Sequence, residues 1–236
     1  MSGGEDPAEA ERARDAAARA ALERLEPGLT IGLGSGRAVW RLIELIGERW
    51  PGGKAPIRSA FASERTRELA AAQGIEAVAL DGDVRLDLAI DGADEIDPQL
   101  GLIKGGGAAL LREKIVVTAA ERFLVVAETR KRVTRLGETF RLPVEVVQFG
   151  WADTRRRLLD TLLPSADLRG GTEAPVVTDE GHYLLDCNVP EDADPRVLGD
   201  ALKATVGVVE HGLFIGLADE ALLGTPDGKV EVMQRP

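Results

Sequence analysis

The chain has 236 residues, a formal net charge of −11, 44% hydrophobic residues and 4% aromatic ones. That length suits one medium domain with a smaller companion, and the apolar content is enough for a sizeable core. The acidity excludes bulk electrostatic binding of nucleic acid, the scarcity of aromatics excludes a base-stacking platform, and no apolar run is long enough to cross a bilayer.

Residues 1 to about 7 are expected to be disordered, and their acidic, polar character does not fit a signal peptide. Residues 8–26, rich in Ala, Glu and Arg, predict a helix stopped by Pro27 and Gly28. A strand over 29–33 runs through "GSGR" into a helix over 37–49. A second strand is expected over 57–63 with a helix after it, and a third over 86–90 ending at Asp91. A helix over 108–121 then leads to a strand over 123–128. Short strands alternating with helices are the mark of βαβ units and a parallel sheet.

The pattern changes after about residue 134. A strand over 143–149, a helix over 151–163, a hairpin of 174–181 with 182–189, a helix over 194–205 and a strand over 207–214 predict a split βαβ plait. The tail, 220–233, reads as a hairpin around "TPDG". The single cysteine, Cys187, precludes an internal disulfide, fits a reducing cytoplasm and reads as a small core residue.

Ligands of open parallel sheets sit beyond the carboxyl ends of the strands. Here four such ends deliver Gly34-Ser35-Gly36, Ser63, Asp91, and Thr129 with Lys131. The "GLGSGR" turn offers bare N–H groups at a helix start, where a phosphate fits; the alternative is a tight turn that needs glycine only for its dihedrals. It is neither a dinucleotide fingerprint nor a P-loop, because Arg37 takes the third glycine position and GK[ST] is missing.

Within "DGADEIDPQLGLIKGGGAALLREK", residues 91–114, Glu113 shares a helical face with Ala109, Leu110, Val116 and Val117. A carboxylate among aliphatic side chains is expected to have a raised pKa and to suit proton abstraction from carbon; the alternative is a structural ion pair. Lys104 precedes Gly105-Gly106-Gly107, whose backbone could cradle a ligand while the ammonium meets an oxyanion. Asp91 and Asp94 could handle hydroxyl protons, or simply form a polar turn. No metal is expected. His182 and Cys187 fall on opposite faces of a predicted strand, and the acids of 91–97 have a lysine nearby.

The blocks "LTIGLGSG", "IDGADEIDPQLGLIKGGGAALLREKI", "RLPVEV" and "GLFIGLADEALLGTPDG" resemble the A-type ribose-5-phosphate isomerases, in order, from about residue 10 to the C-terminus. The resemblance implies a Rossmann-like parallel-sheet domain, 8–133 plus 208–236, and a smaller ferredoxin-like α/β plait domain, 134–207. It implies interconversion of ribose 5-phosphate and ribulose 5-phosphate without metal or organic cofactor, in a cytoplasmic homodimer or homotetramer with no nucleic-acid or membrane partner. By position, Glu113 is the general base. Asp91 and Asp94, with Gly92 and Ala93 between them, contact the sugar. Lys104 and Gly105, Gly106 and Gly107 hold the substrate and steady an enediolate. Lys131 and Arg14 are further contacts, and Ser35, Gly36, Arg37 and Ala38 form the phosphate loop. That loop departs from the family's usual Gly-Thr-Gly-Ser-Thr, since Arg37 and Ala38 replace two hydroxyls. The alternatives are a related sugar-phosphate isomerase or deaminase, and a non-catalytic sugar-phosphate sensor.

Overall fold

The computed structural model describes residues 6–235; the disorder expected of the first residues concerns positions 1–5 outside that range, together with Asp6 and Pro7, which are ordered at a helix start. Helix α1 (Pro7–Leu22) begins where the Asp6 carboxylate accepts the Ala8 N–H and Pro7 takes the first turn. It buries Ala10, Ala13, Ala17 and Ala21 at helical spacing. It ends at Leu22, short of the expected 26, because Arg24 and Leu25 donate to carbonyls three residues back and the chain tightens into turns before Pro27. Next come β1 (Thr30–Leu33), α2 (Arg37–Arg49), β2 (Arg58–Phe61), α3 (Glu64–Ala72), β3 (Glu76–Ala77) and β4 (Leu88–Asp91). Two-residue strands β5 (Glu95–Ile96) and β6 (Leu102–Ile103) precede α4 (Leu110–Thr118) and β7 (Phe123–Glu128). After a 3-10 turn, Thr129–Lys131, the chain forms β8 (Leu142–Val146), α5 (Trp151–Thr161), β9 (Ser165–Leu168), β10 (Tyr183–Asn188) and α6 (Pro195–Ala204). It closes with β11 (Val208–His211), β12 (Leu213–Phe214), β13 (Glu220–Gly224) and β14 (Val230–Gln234).

These elements form two compact units, Met1–Ala93 with Arg112–Lys131 and Leu217–Pro236, and Asp94–Leu111 with Arg132–Gly216. The first holds a seven-stranded sheet in the order β14-β13-β7-β4-β1-β2-β3, parallel except for the β13–β14 hairpin. Counted along the chain, its parallel strands lie 3-2-1-4-5-6, the doubly wound Rossmann-like order, which reverses between β1 and β4. Ile31 and Leu33 of β1 and Leu88 and Ile90 of β4 pack with Leu42 and Ile46 of α2 on one face. Each such buried side chain stabilises the fold by about 1.5–3 kcal/mol. On the other face Val116 of α4 packs with Ala60, Ala62 and Leu86. Gly32 permits that approach, because a Cβ there would lie 2.4 Å from Val116 Cγ1. As α4 leads into β7, parallel neighbour of β4, the helix runs against the strands. Its N-terminal turns, carrying Glu113, therefore lie at the sheet's carboxyl edge.

The second unit holds an antiparallel sheet in the order β11-β8-β10-β9. With α5 and α6 this is a βαββαβ chain in spatial order 4-1-3-2, the expected plait. Leu158 of α5 and Leu198 and Leu202 of α6 share its core with Leu142, Val144, Val146, Leu185 and Cys187. Two details differ from the sequence reading. The strand beside β10 is β9, whereas 174–181 supplies one isolated pairing, Val177 with Tyr183, and a turn closed by Gly181 N–H on the Thr178 carbonyl. The edge of β10 is already occupied by the chain leaving α5. Second, the expected strand 207–214 breaks at Gly212. There β11 pairs with β8 and β12 pairs with β6, which completes a three-stranded sheet with β5. A Cβ at Gly212 would sit 2.2 Å from the Lys104 carbonyl oxygen. That small sheet joins 94–111 and 208–216 to the second unit, where the sequence reading had grouped both with the Rossmann-like part.

Candidate active site

In the first unit the β1/β4 reversal gathers several of the residues singled out above. Asp91, fully buried, ends β4 with Oδ1 accepting the Gly92 N–H at 2.7 Å and the Ser35 N–H at 3.2 Å. Gly34 makes room for it, since a Cβ there would fall 1.8 Å from Asp91 Cγ. The loop after β1 is tied down by hydroxyls. Thr66 donates to the Gly34 carbonyl at 2.9 Å, Ser63 donates to Thr66 Oγ1 at 3.0 Å, and the Ser35 and Ser63 oxygens lie 3.1 Å apart. Trp40 Nε1–H also reaches Thr66 Oγ1, at 3.1 Å. Ser63 caps α3 by accepting the Thr66 N–H, so one residue serves a helix start and the neighbouring loop.

Helix α2 starts behind Gly36 at φ 138°, and no side chain caps it. Its first-turn N–H groups and the positive end of its dipole suit an anion. Ala38 is buried in that turn and Arg37 is exposed. Arg37, Arg14 and Trp40 line a cavity of about 710 Å³ along α1 and α2. Arg14 is also engaged by Glu128 at the end of β7, Nη1 to Oε1 2.8 Å. Burial pushes the Glu128 carboxyl up, but the Arg14 hydrogen bond and the nearby Arg130 charge outweigh it and leave it below its ordinary value. Glu113 is 3% exposed, and Ala109, Leu110, Val116 and Val117 are buried with it, the aliphatic stripe that helical spacing predicts. Arg112 stands to the side, 3.3 Å from Glu64. Gly92, Ala93 and Lys131 are half-buried, Lys131 in the turn after β7.

The second unit brings together Asp94, Lys104 and the three glycines. Lys104 is 3% exposed, its N–H donates to the Gly212 carbonyl at 2.9 Å, and its Nζ lies 5.5 Å from the Phe214 ring centroid, within cation–π range. Gly105 takes φ +110°, and the turn closes with the Ala108 N–H on the Gly105 carbonyl at 3.1 Å. Ala108 itself adopts φ +61°, a left-handed conformation uncommon for a residue other than glycine. Asp94 Oδ2 accepts the Gly106 N–H at 2.8 Å. Gly106 and Gly107 are exposed.

Two buried carboxylates of this unit escaped the sequence reading. Glu95 accepts the N–H groups of Gly137, Thr139 and Phe140 and the Thr139 hydroxyl, at 2.5 to 2.8 Å, and so organises the loop before β8. Glu145 accepts the Thr178 hydroxyl at 2.9 Å and pairs with His182 Nδ1 at 2.9 Å. Glu145 sits in no residue pattern that distinguishes it from an ordinary strand acid, and Glu95 stands out only as one of the acids of 91–97. Cys187 is a core residue whose thiol burial pushes up to about 12. Among the described residues, no three or more His, Cys, Asp or Glu side chains form a group that could hold a metal ion. No helix among them is long and apolar enough to cross a membrane.

The family model for ribose 5-phosphate isomerase A (phosphoriboisomerase A) matches residues 60–228. A ribose-5-phosphate isomerase A of Roseiflexus sp. (strain RS-1) is 48% identical over 220 residues, 93% of this chain and 94% of the relative. That of Synechococcus sp. (strain JA-3-3Ab) is 45% identical over 223 residues, 94% of this chain and 96% of the relative. A solved D-ribose-5-phosphate isomerase in complex with phospho-erythronic acid superposes with a TM-score of 0.89 at 35% identity, covering 96% of this chain and 99% of its own. The chain belongs to the ribose 5-phosphate isomerase A family.

Proposed function

We propose that the protein is an aldose–ketose isomerase interconverting D-ribose 5-phosphate and D-ribulose 5-phosphate. The observation that carries the reading is Glu113, a carboxylate 3% exposed in an aliphatic stripe, in a chain similar along nearly its whole length to ribose-5-phosphate isomerases A. In the opened sugar, Glu113 takes the proton from C2 and the released electron pair becomes a cis-enediolate with its charge on O1. The same carboxyl returns the proton to C1. The O2 hydroxyl loses its proton as the ketone forms, and O1 gains one, exchanges given to Asp91 and Asp94. Lys104, with the Gly105–Gly107 backbone, stabilises the oxyanion. General-base catalysis of this kind is worth roughly 10²–10⁴-fold.

Ser35, Gly36 and Ala38 receive the phosphate at the start of α2, with Arg37 and Arg14 adding charge-assisted hydrogen bonds and Lys131 a further contact. Arg37 thereby takes over from the hydroxyls this loop lacks. We place the protein in the cytoplasm, which its single cysteine suits, as a homodimer or homotetramer whose mass light scattering would read directly.

The test is a coupled assay of the purified protein with ribose 5-phosphate beside arabinose and hexose phosphates. Turnover confined to the ribose ester is the expected result. Preference for another phosphate would point to a related isomerase, and saturable binding without turnover to a sensor.

A further inference from the structure

We propose that Arg169, held by Asp186, is a positioning residue that fixes the peptide planes of the Lys104–Gly107 loop and so aims the Gly107 N–H at the reacting oxygen; this rests on the isomerase reading. Arg169 follows β9 and is anchored by its own N–H on the Leu184 carbonyl at 2.9 Å. Asp186, on neighbouring β10, grips its guanidinium in a two-pronged pair, Nε to Oδ2 3.0 Å and Nη2 to Oδ1 2.5 Å. The third nitrogen, Nη1, is turned to the glycine loop, where it donates to the Gly105 carbonyl at 2.8 Å and lies 3.4 Å from that of Gly106. Both side chains are mostly withdrawn from solvent, 16% and 24% exposed.

The consequence follows from peptide geometry. In a planar trans peptide, the carbonyl and the N–H of the next residue point in opposite directions. With the Gly105 carbonyl on Arg169, the Gly106 N–H points away from it, and there it meets Asp94 Oδ2 at 2.8 Å. The second carbonyl, turned the same way, sends the Gly107 N–H to the same side as Asp94. That N–H makes no hydrogen bond among the described residues. Three successive glycines have no side chains to hold their dihedrals, so a preorganised donor requires an outside clamp. A planar guanidinium can hold a carboxylate with one edge and carbonyls with another, which an ammonium cannot.

The test compares Arg169→Ala, Arg169→Lys and Asp186→Asn with the unsubstituted enzyme for kcat, KM, melting temperature and inhibition by a four-carbon phosphorylated aldonic acid, whose carboxylate mimics the enediolate oxygens. The clamp predicts that kcat falls about 10–100-fold, the scale of a displaced catalytic group. KM should stay within about threefold, and affinity for the acid should fall in step with kcat. Arg169→Lys, keeping charge and stem but not the fork, should lose nearly as much, and added guanidinium ion should restore part of the Arg169→Ala activity. Unchanged kcat would overturn the proposal, as would a rise in KM alone. So would a kcat loss that follows melting temperature, with acid affinity intact and no rescue. Absence of turnover in the unsubstituted protein would instead strike the isomerase reading beneath it.

Discussion

Gly34→Ala is the sharpest structural probe of the β1/β4 reversal. The added methyl would stand 1.8 Å from Asp91 Cγ and 2.0 and 2.3 Å from its oxygens. Comfortable carbon contacts begin near 3.5 Å, so the carboxylate must retreat by roughly 1.5 Å. That breaks its bonds from the Gly92 and Ser35 N–H groups, now 2.7 and 3.2 Å. Hydrogen bonds to a charged group are worth about 1.5–3 kcal/mol each, which puts the loss near 3–6 kcal/mol before any backbone relaxation. At about 2–4 °C per kcal/mol for a chain of this size, the melting temperature should drop by about 6–24 °C. Activity should fall about 100-fold if, as proposed, Asp91 handles a hydroxyl of the sugar, because the acid is displaced. Thermal unfolding and the coupled assay read the two effects. The cause is isolated by repeating the change on an Asp91→Ala background, where the methyl has nothing to strike and should cost less than about 0.5 kcal/mol. A drop below about 2 °C, or the same drop in both backgrounds, would show that the methyl does not strike Asp91.

Glu128 gives a prediction in pH. Its carboxyl lies below the ordinary 4.5 in the folded protein, so its stabilisation is complete above that value and is lost as pH falls through the lower folded pKa. Glu128→Gln should therefore melt lower than the unsubstituted protein at neutral pH, with the two curves converging as the pH falls below the ordinary carboxylate range; a constant gap would contradict this. Cys187, buried with its thiol pushed up to about 12, should be inert to an aromatic disulfide reagent in native protein at pH 8 and react promptly in denaturant. Rapid modification of native protein would show that its strand opens freely.

The Rossmann-like half was legible where strands are unbroken apolar runs, as in Phe123–Glu128, and where helices begin and end at strong signals, as in Arg37–Arg49. The short strands Glu95–Ile96 and Leu102–Ile103 were not, because two residues carry no periodicity and the second of them takes its other partner, Leu213–Phe214, from more than a hundred residues away. Segment 165–168, Ser-Ala-Asp-Leu, has little strand propensity yet joins the sheet, whereas Val176 and Val177 have more and supply only one isolated pairing. Tertiary context overrode preference there. Of the candidate site, the stripe around Glu113 followed from helical spacing alone, and the strand-end rule found Asp91 and Ser35. Ser63's link to the β1 loop, and Arg169's hold on the glycine carbonyls, depend on chain segments far apart in sequence. In the sequence Arg169 is one more basic residue before a Gly-Gly turn.

Glu113→Gln, an isosteric change that removes the base, reads the part of that carboxylate in the proton transfer without disturbing its shape. Purified variant and unsubstituted protein should be compared for turnover of ribose 5-phosphate deuterated at C2, with product label read by mass. The unsubstituted enzyme should transfer deuterium to C1 or lose it to solvent, and the variant, of normal melting temperature, should be at least about 100-fold slower. A folded variant within about tenfold of the original rate, less than the roughly 10²-fold minimum a general base contributes, would contradict that role.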